Sequence, residues 1–248
     1  MKIIKITMLA LSLVVVAGCE TLNQASQVLT QGSGAGSPTQ TEITMGLKQA
    51  LEFGTNYSAE RLGAKDGYLG NLAVKILFPE EAAKVERTLR SIGLSKLADD
   101  VILSINRAAE DAAEEAKPIF VSAIKQMTIA DATNILLTNN SDAATQYFRR
   151  VTSAQLADKF QPIIAKSLNQ VGATRYWTDA ISRYNKIPLV ADINPDLTSY
   201  VTQKAIDGLF HEIAQEELKI RNNIASRNTS LLQKVFGYAD RHRRPSGF

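Results

Sequence analysis

From Glu42 onward, apolar residues return every three or four positions, and nowhere is a strict apolar–polar alternation sustained. That spacing lines up one face of an α-helix, whereas a half-buried strand needs a period of two. The pattern therefore restricts the chain to helices packed on helices. Its clearest stretch is Lys96 to Ala116, where Leu97, Val101, Ile102, Ile105, Ala108, Ala109, Ala112 and Ala113 form one stripe. Asp99, Asp100, Asn106, Arg107, Glu110, Asp111 and Glu114 are assigned to the opposite side. A stripe ending in alanines lets a neighbouring helix approach closely. Thr198 to Arg221 repeats the pattern with Val201, Ala205, Leu209, Ile213 and Ile220.

Start and stop signals agree with this reading. Thr128-Ile-Ala-Asp131 and Thr152-Ser-Ala-Gln155 have capping-box form, in which a hydroxyl accepts an otherwise orphaned backbone N–H. Gly93, Gly172 and Gly237 follow apolar runs and suit helix ends. Pro79, Pro118, Pro162 and Pro195 fall near expected boundaries. Helices are predicted at 42–63, 79–92, 95–116, 118–127, 129–138, 141–150, 152–170, 174–186, 196–222 and 226–236. Asn71 to Phe78 reads as either a short strand or a buried helix turn, and the expected longer loops are Gly63 to Gly70 and Lys186 to Pro195. There is no composition break after Thr41 and no internal repeat. The predicted fold is all-α, a single compact multi-helix, bundle-like domain over 42–237, followed by a basic tail over 238–248.

The first 41 residues read differently. Lys2 and Lys5 precede an apolar run from Ile6 to Ala17, which is too short to span a bilayer as a mature helix. Val16-Ala17-Gly18 then precedes Cys19, the single cysteine of the chain. This arrangement resembles the bacterial lipoprotein signal, which implies a cleaved segment over 1–18 and a lipidated Cys19 as the first mature residue. Glu20 follows it where an Asp would imply retention at the inner membrane, so the resemblance implies outer-membrane anchoring facing the periplasm. Residues 19–41 form a tether containing Gln31-Gly-Ser-Gly-Ala-Gly-Ser-Pro38. A flexible chain of that length reaches on the order of 25 Å, and a short helix within it is predicted around Leu22 to Leu29.

Composition and motifs exclude several function classes. Hydrophobic residues at 45% and charged residues at 21% suit a folded globular body, not a disordered chain. The formal charge of +3 falls to +1 without Lys2 and Lys5, which gives no electrostatic footprint for nucleic acid. One cysteine permits neither an intramolecular disulfide nor a cysteine metal cage. His211 and His242 belong to no metal-ligand pattern, and His211 falls on the polar side of its helix. No phosphate-binding glycine loop or nucleophile elbow occurs. No catalytic residue, metal site or cofactor is therefore assigned. The acidic pairs Glu80/Glu81, Asp99/Asp100, Glu114/Glu115 and Glu216/Glu217 read as solvated helix faces.

Two charged groupings remain as a candidate polar cluster. Arg107 and Glu110 are three apart and can pair on one helix face. Arg149 and Arg150 stand with Tyr147 and Phe148, while Glu217, Arg221 and Arg227 lie far downstream. Arg107, Glu110, Arg149, Arg150, Glu217 and Arg221 suit either recognition of an anionic group through arginine forks or a salt-bridge network between helices. Trp177 is expected in the core.

The same groupings carry a resemblance. Asn106-Arg-Ala-Ala-Glu110, Asp131-Ala, Tyr147-Phe148-Arg149, Tyr200-Val-Thr, Asp207-Gly-Leu-Phe210, Glu217-Leu-Lys-Ile-Arg221, Arg227 and Leu231-Leu-Gln-Lys-Val-Phe-Gly237 occur in that order. Together they resemble the bacterial family called domain of unknown function 4197, over about residues 42–237. The resemblance implies a helical, secreted or lipid-anchored protein and supplies no activity, cofactor or catalytic residue. The expected function is a non-enzymatic cell-envelope lipoprotein, an interaction or scaffold module. Its expected contacts are the membrane, through the lipid anchor, and an envelope protein. The alternative is a periplasmic binding protein holding a lipid or small apolar ligand between helices, and a hydrolase built on an acidic pair is a third reading.

Overall fold

In a computed structural model of the chain, residues 36–242 are described apart from Ile92, Val171 and 185–195. The expected signal, Cys19, the helix around Leu22 to Leu29, the second loop and the end of the tail all lie outside the described residues or mostly so. Among the described residues nine α-helices follow one another: α1 Gln40–Gly63, α2 Ala83–Ser91, α3 Ser95–Ala113, α4 Ala116–Gln126, α5 Ile129–Leu137, α6 Ala143–Gln170, α7 Ala173–Tyr184, α8 Leu197–Asn222 and α9 Ser230–His242. There is no strand among the described residues. The all-α expectation holds.

α6 packs along α8 and α3, and α1 lies across α5, α8, α4, α9 and α3. Between them sits one apolar core, in which Phe120 meets Phe148 and Phe210 edge-on at ring-centroid distances of 5.3 and 6.2 Å. The alanine stripe of α3 is fully enclosed at Ala108, Ala109, Ala112 and Ala113. Trp177 is buried against Phe78, with ring centroids 5.6 Å apart.

Local chemistry starts the helices where the spacing predicts. The Thr39 hydroxyl accepts from the Glu42 amide at 3.2 Å, while the Glu42 carboxylate accepts from the Thr39 amide at 2.8 Å. Thr128 and Asp131 form the same reciprocal box at α5, and the Asp196 carboxylate accepts from the Ser199 amide at α8. Gly93 and Gly172 take positive φ, at 84° and 69°.

Two expected boundaries are absent. The predicted helices 141–150 and 152–170 are one helix, α6, running through Thr152 and Pro162. Phe148, Thr152, Leu156, Phe160, Ile164 and Leu168 make an unbroken buried stripe, so continuing the helix buries more than a break would. Thr152 donates its hydroxyl to the Phe148 carbonyl at 2.7 Å instead of capping. Likewise α9 passes through Gly237 to His242, into the first residues of the expected tail, because Ala239 is buried.

Residues 64–79 are neither strand nor helix. They run as turns followed by an irregular extended segment, laid across α3 and α8 as a strap. This is longer than the expected Gly63 to Gly70 loop. Its hydrogen bonds explain why.

Candidate functional site

The strap opens with Asp66 at φ 66° and with Gly67, where a Cβ would stand 2.4 Å from the Arg61 carbonyl oxygen. No side chain fits that approach. Three buried polar side chains then hold the strap, two by its backbone and the third through the Asn71 side chain. From α3, Glu110 Oε1 accepts the Tyr68 and Leu69 amides at 3.1 and 3.2 Å. One turn earlier, Asn106 Oδ1 accepts the Ile76 amide at 2.9 Å, and its Nδ2 donates to the Ile76 carbonyl at 2.7 Å. From α8, Glu212 accepts from Asn71 Nδ2 at 2.7 Å and from Arg61 Nη1 at 3.0 Å. Asn106 and Glu110, expected on the polar side, are instead buried on the stripe through Ile102, Ala109 and Ala113, where the strap backbone satisfies them, and Glu212 lies on the stripe through Val201, Ala205 and Leu209.

Tyr68 seals the arrangement. Its ring is fully buried and its hydroxyl donates to the Ala205 carbonyl at 2.7 Å. Burial, with the charges of Glu212 and Glu110 nearby, pushes its hydroxyl pKa up, so it stays a neutral donor. Gly208 makes room for it, since a Cβ there would lie 2.7 Å from Tyr68 Cε1 and 3.2 Å from Val74 Cβ.

Two hollows flank the strap. A cleft of about 630 Å³ lies between the strap and the first half of α8, edged by Lys75, Glu80, Tyr200, Lys204, Asp207 and His211. A shallower recess of about 570 Å³, sharing Ala73, is edged by Arg61, Lys65, Asp66, Asn71 and Leu72. Leu72 is 89% exposed and Leu77 53%. Several polar groups here are already held by the protein. Tyr200 donates its hydroxyl to the Leu77 carbonyl at 3.0 Å, and Arg149 meets Asp207 at 2.9 Å. Lys65, Lys75 and Lys204 face no carboxylate among the described residues. Among the described residues this face therefore presents lysine ammonium groups beside the exposed side chains of Leu72 and Leu77.

The six residues of the candidate polar cluster fall into three groups. Arg107 bridges Glu110 and Asp66, the latter at 2.7 Å, beside the strap. Its hydrogen bond to Glu110 raises the guanidinium pKa further. Arg149 lies at the surface, 4.6 Å over the Phe210 ring, and Arg150 lies 5.5 Å over Tyr147.

Glu217 and Arg221 are buried elsewhere. The Glu217 carboxylate accepts the Ala144 and Thr145 amides at 3.0 and 2.9 Å, capping α6, and receives Arg221 Nη2 at 2.7 Å. Arg221 also donates to the Ile135 carbonyl, and Arg227 donates to the carbonyls of Ile220 and Arg221. This hub ties α5, α6, α8 and the approach to α9 together. Its surroundings are tight: the recess bounded by Leu47, Leu51, Ile213, Ile220, Phe236 and Arg221 holds about 20 Å³, near one water molecule.

Among the described residues, no cluster of three or more His, Cys, Asp or Glu is placed to hold a metal. None of the described helices is long and apolar enough to cross a membrane. Asn106, Tyr68, Asn71 and Glu212 were not legible as site-forming residues from spacing alone. The available signal was a carboxylate or amide set on an otherwise apolar stripe.

A family model described as "Protein of unknown function (DUF4197)" matches residues 37–237. No curated protein and no solved structure matches the chain.

Proposed function

The chain belongs to the DUF4197 family, whose description assigns no activity, and from that premise we propose a non-enzymatic cell-envelope lipoprotein. It is an interaction module held to the outer membrane through lipidated Cys19, facing the periplasm, and it docks a partner through the strap face. One observation carries the docking role. Irregular backbone is expensive to order, at about 1–2 kcal/mol per residue, yet the strap is pinned by three buried polar side chains while Leu72 stands 89% exposed. A rigid loop that displays an apolar side chain is preorganised for contact, because little further ordering is lost on binding.

An apolar ligand enclosed between helices has less support, since the apolar recess beside Arg221 holds about 20 Å³ against roughly 300–1,000 Å³ for drug-sized ligands, and the cleft of about 630 Å³ beside the strap is edged by Lys75, Glu80, Lys204 and Asp207.

Two measurements test the proposal. Labelled palmitate should appear on the wild-type chain and not on Cys19→Ala, with the labelled protein in the outer-membrane fraction. A photo-crosslinking residue at Leu72 should give a discrete adduct, whereas one at exposed Ala154 on α6 should not. Palmitate on both proteins or neither removes the anchor, and monomer alone at both positions removes the docking role.

A further inference from the structure

We infer that the strap face docks an acidic protein segment, whose carboxylates meet Lys75 and Lys204 while its apolar side chains cover Leu72 and Leu77. The inference rests on the strap being a docking face, and it names what docks there.

The charge pattern selects the partner. Asp66, Asp207 and Glu212 each already face an arginine, namely Arg107, Arg149 and Arg61. Lys65, Lys75 and Lys204 have no such partner among the described residues, and of the carboxylates edging the two hollows Glu80 alone is left without a cation. Because Arg107 is shared between Asp66 and Glu110, the uncompensated charge is a small positive excess, borne by flexible ammonium groups. Lys75 and Lys204 edge the same cleft, and Lys204 sits 5.9 Å over the Tyr200 ring. Complementary charge steers a partner and fixes its register, while the exposed leucines supply apolar area.

A segment mixing acidic and apolar residues satisfies both features. A free small anion would leave Leu72 and Leu77 uncovered. An anionic membrane would match the lysines and leucines too, and a phospholipid adduct is the outcome that would identify it.

The test uses the full chain in cells, with the photo-crosslinking residue at Leu77, and identifies the captured material by mass spectrometry. The expected adduct is a polypeptide stretch of net negative charge. Lys75→Glu with Lys204→Glu should lower its yield by about tenfold or more, and reversing the captured acidic residues to lysine should restore it. Lys75→Gln with Lys204→Gln, a milder pair at solvated positions, should lower the yield in the same direction. A neutral or basic stretch, a phospholipid adduct, or a yield indifferent to both lysine pairs overturns the acidic partner while leaving docking intact. Absence of any adduct from either Leu72 or Leu77 overturns docking itself.

Discussion

Asn106 provides the sharpest test of how the strap is held. Its side chain acts as a peptide group would in a neighbouring strand, accepting from the Ile76 amide and donating to the Ile76 carbonyl, with a further bond to the Ile102 carbonyl at 2.7 Å. Asn106→Ala removes all three bonds and leaves the Ile76 N–H and C=O without partners where Ile76 is 2% exposed. Each orphaned buried group costs about 1–3 kcal/mol, so with partial relaxation the loss is about 3 kcal/mol. For a domain of this size that is a fall in melting temperature of roughly 6–12 °C.

Asn106→Asp should be worse at neutral pH. It retains the acceptor for the Ile76 amide but turns a carboxylate oxygen toward two carbonyl oxygens. Those neighbours favour the protonated acid, raising its folded-state pKa above the unfolded value of about 3.9. A group raised in the folded state destabilises increasingly as pH rises from the unfolded value through the folded one. Below the unfolded value the penalty vanishes, so the gap between Asn106→Asp and Asn106→Ala should close in acid. Thermal melts of both variants at matched pH, with hydrogen exchange at the Ile76 amide, make the measurement. An Asn106→Ala protein melting within about 2 °C of wild type, with Ile76 exchange unchanged, would refute the reasoning.

Gly208→Ala should destabilise by about 1–3 kcal/mol through overpacking against Tyr68 and Val74, read as a lower melting temperature with faster exchange confined to strap amides. Glu217→Ala should cost about 3–5 kcal/mol, because it strands the buried Arg221 guanidinium; Glu217→Gln, which keeps one acceptor oxygen, should cost less in the same melt. Glu42, Asp131 and Asp196 have lowered pKa values, the first chiefly through Lys234, the others through the hydroxyls of Thr128 and Ser199. Their contribution is fully present above the unfolded carboxylate value of about 4 and is lost as pH falls through the lower folded values. Acid titration followed by amide exchange should therefore loosen the first turns of α1, α5 and α8; unchanged protection there would contradict it.

Helix identity was legible in the residues because it depends on neighbours three or four positions apart. The stripe from Val101 to Ala113, the box at Thr128 and the ends at Gly93 and Gly172 all act within one or two turns. Continuation through Thr152 and Gly237 was not legible. Those residues look like signals locally, and only the partners packed against Phe148, Leu156 and Ala239 decide that the helix runs on.

The candidate site was less legible still. Arg107 and Glu110 were correctly paired by their spacing of three, but Glu110 also holds amides 41 and 42 positions away. Asn106 reaches 30 positions, and Glu212 reaches 141. Sequence alone determined that this chain makes amphipathic helices, since each apolar stripe is a local repeat. Tertiary structure alone decided the path of residues 64–79, because a buried amide or carboxylate takes whichever distant backbone groups the packed helices bring to it, and no periodicity encodes that choice.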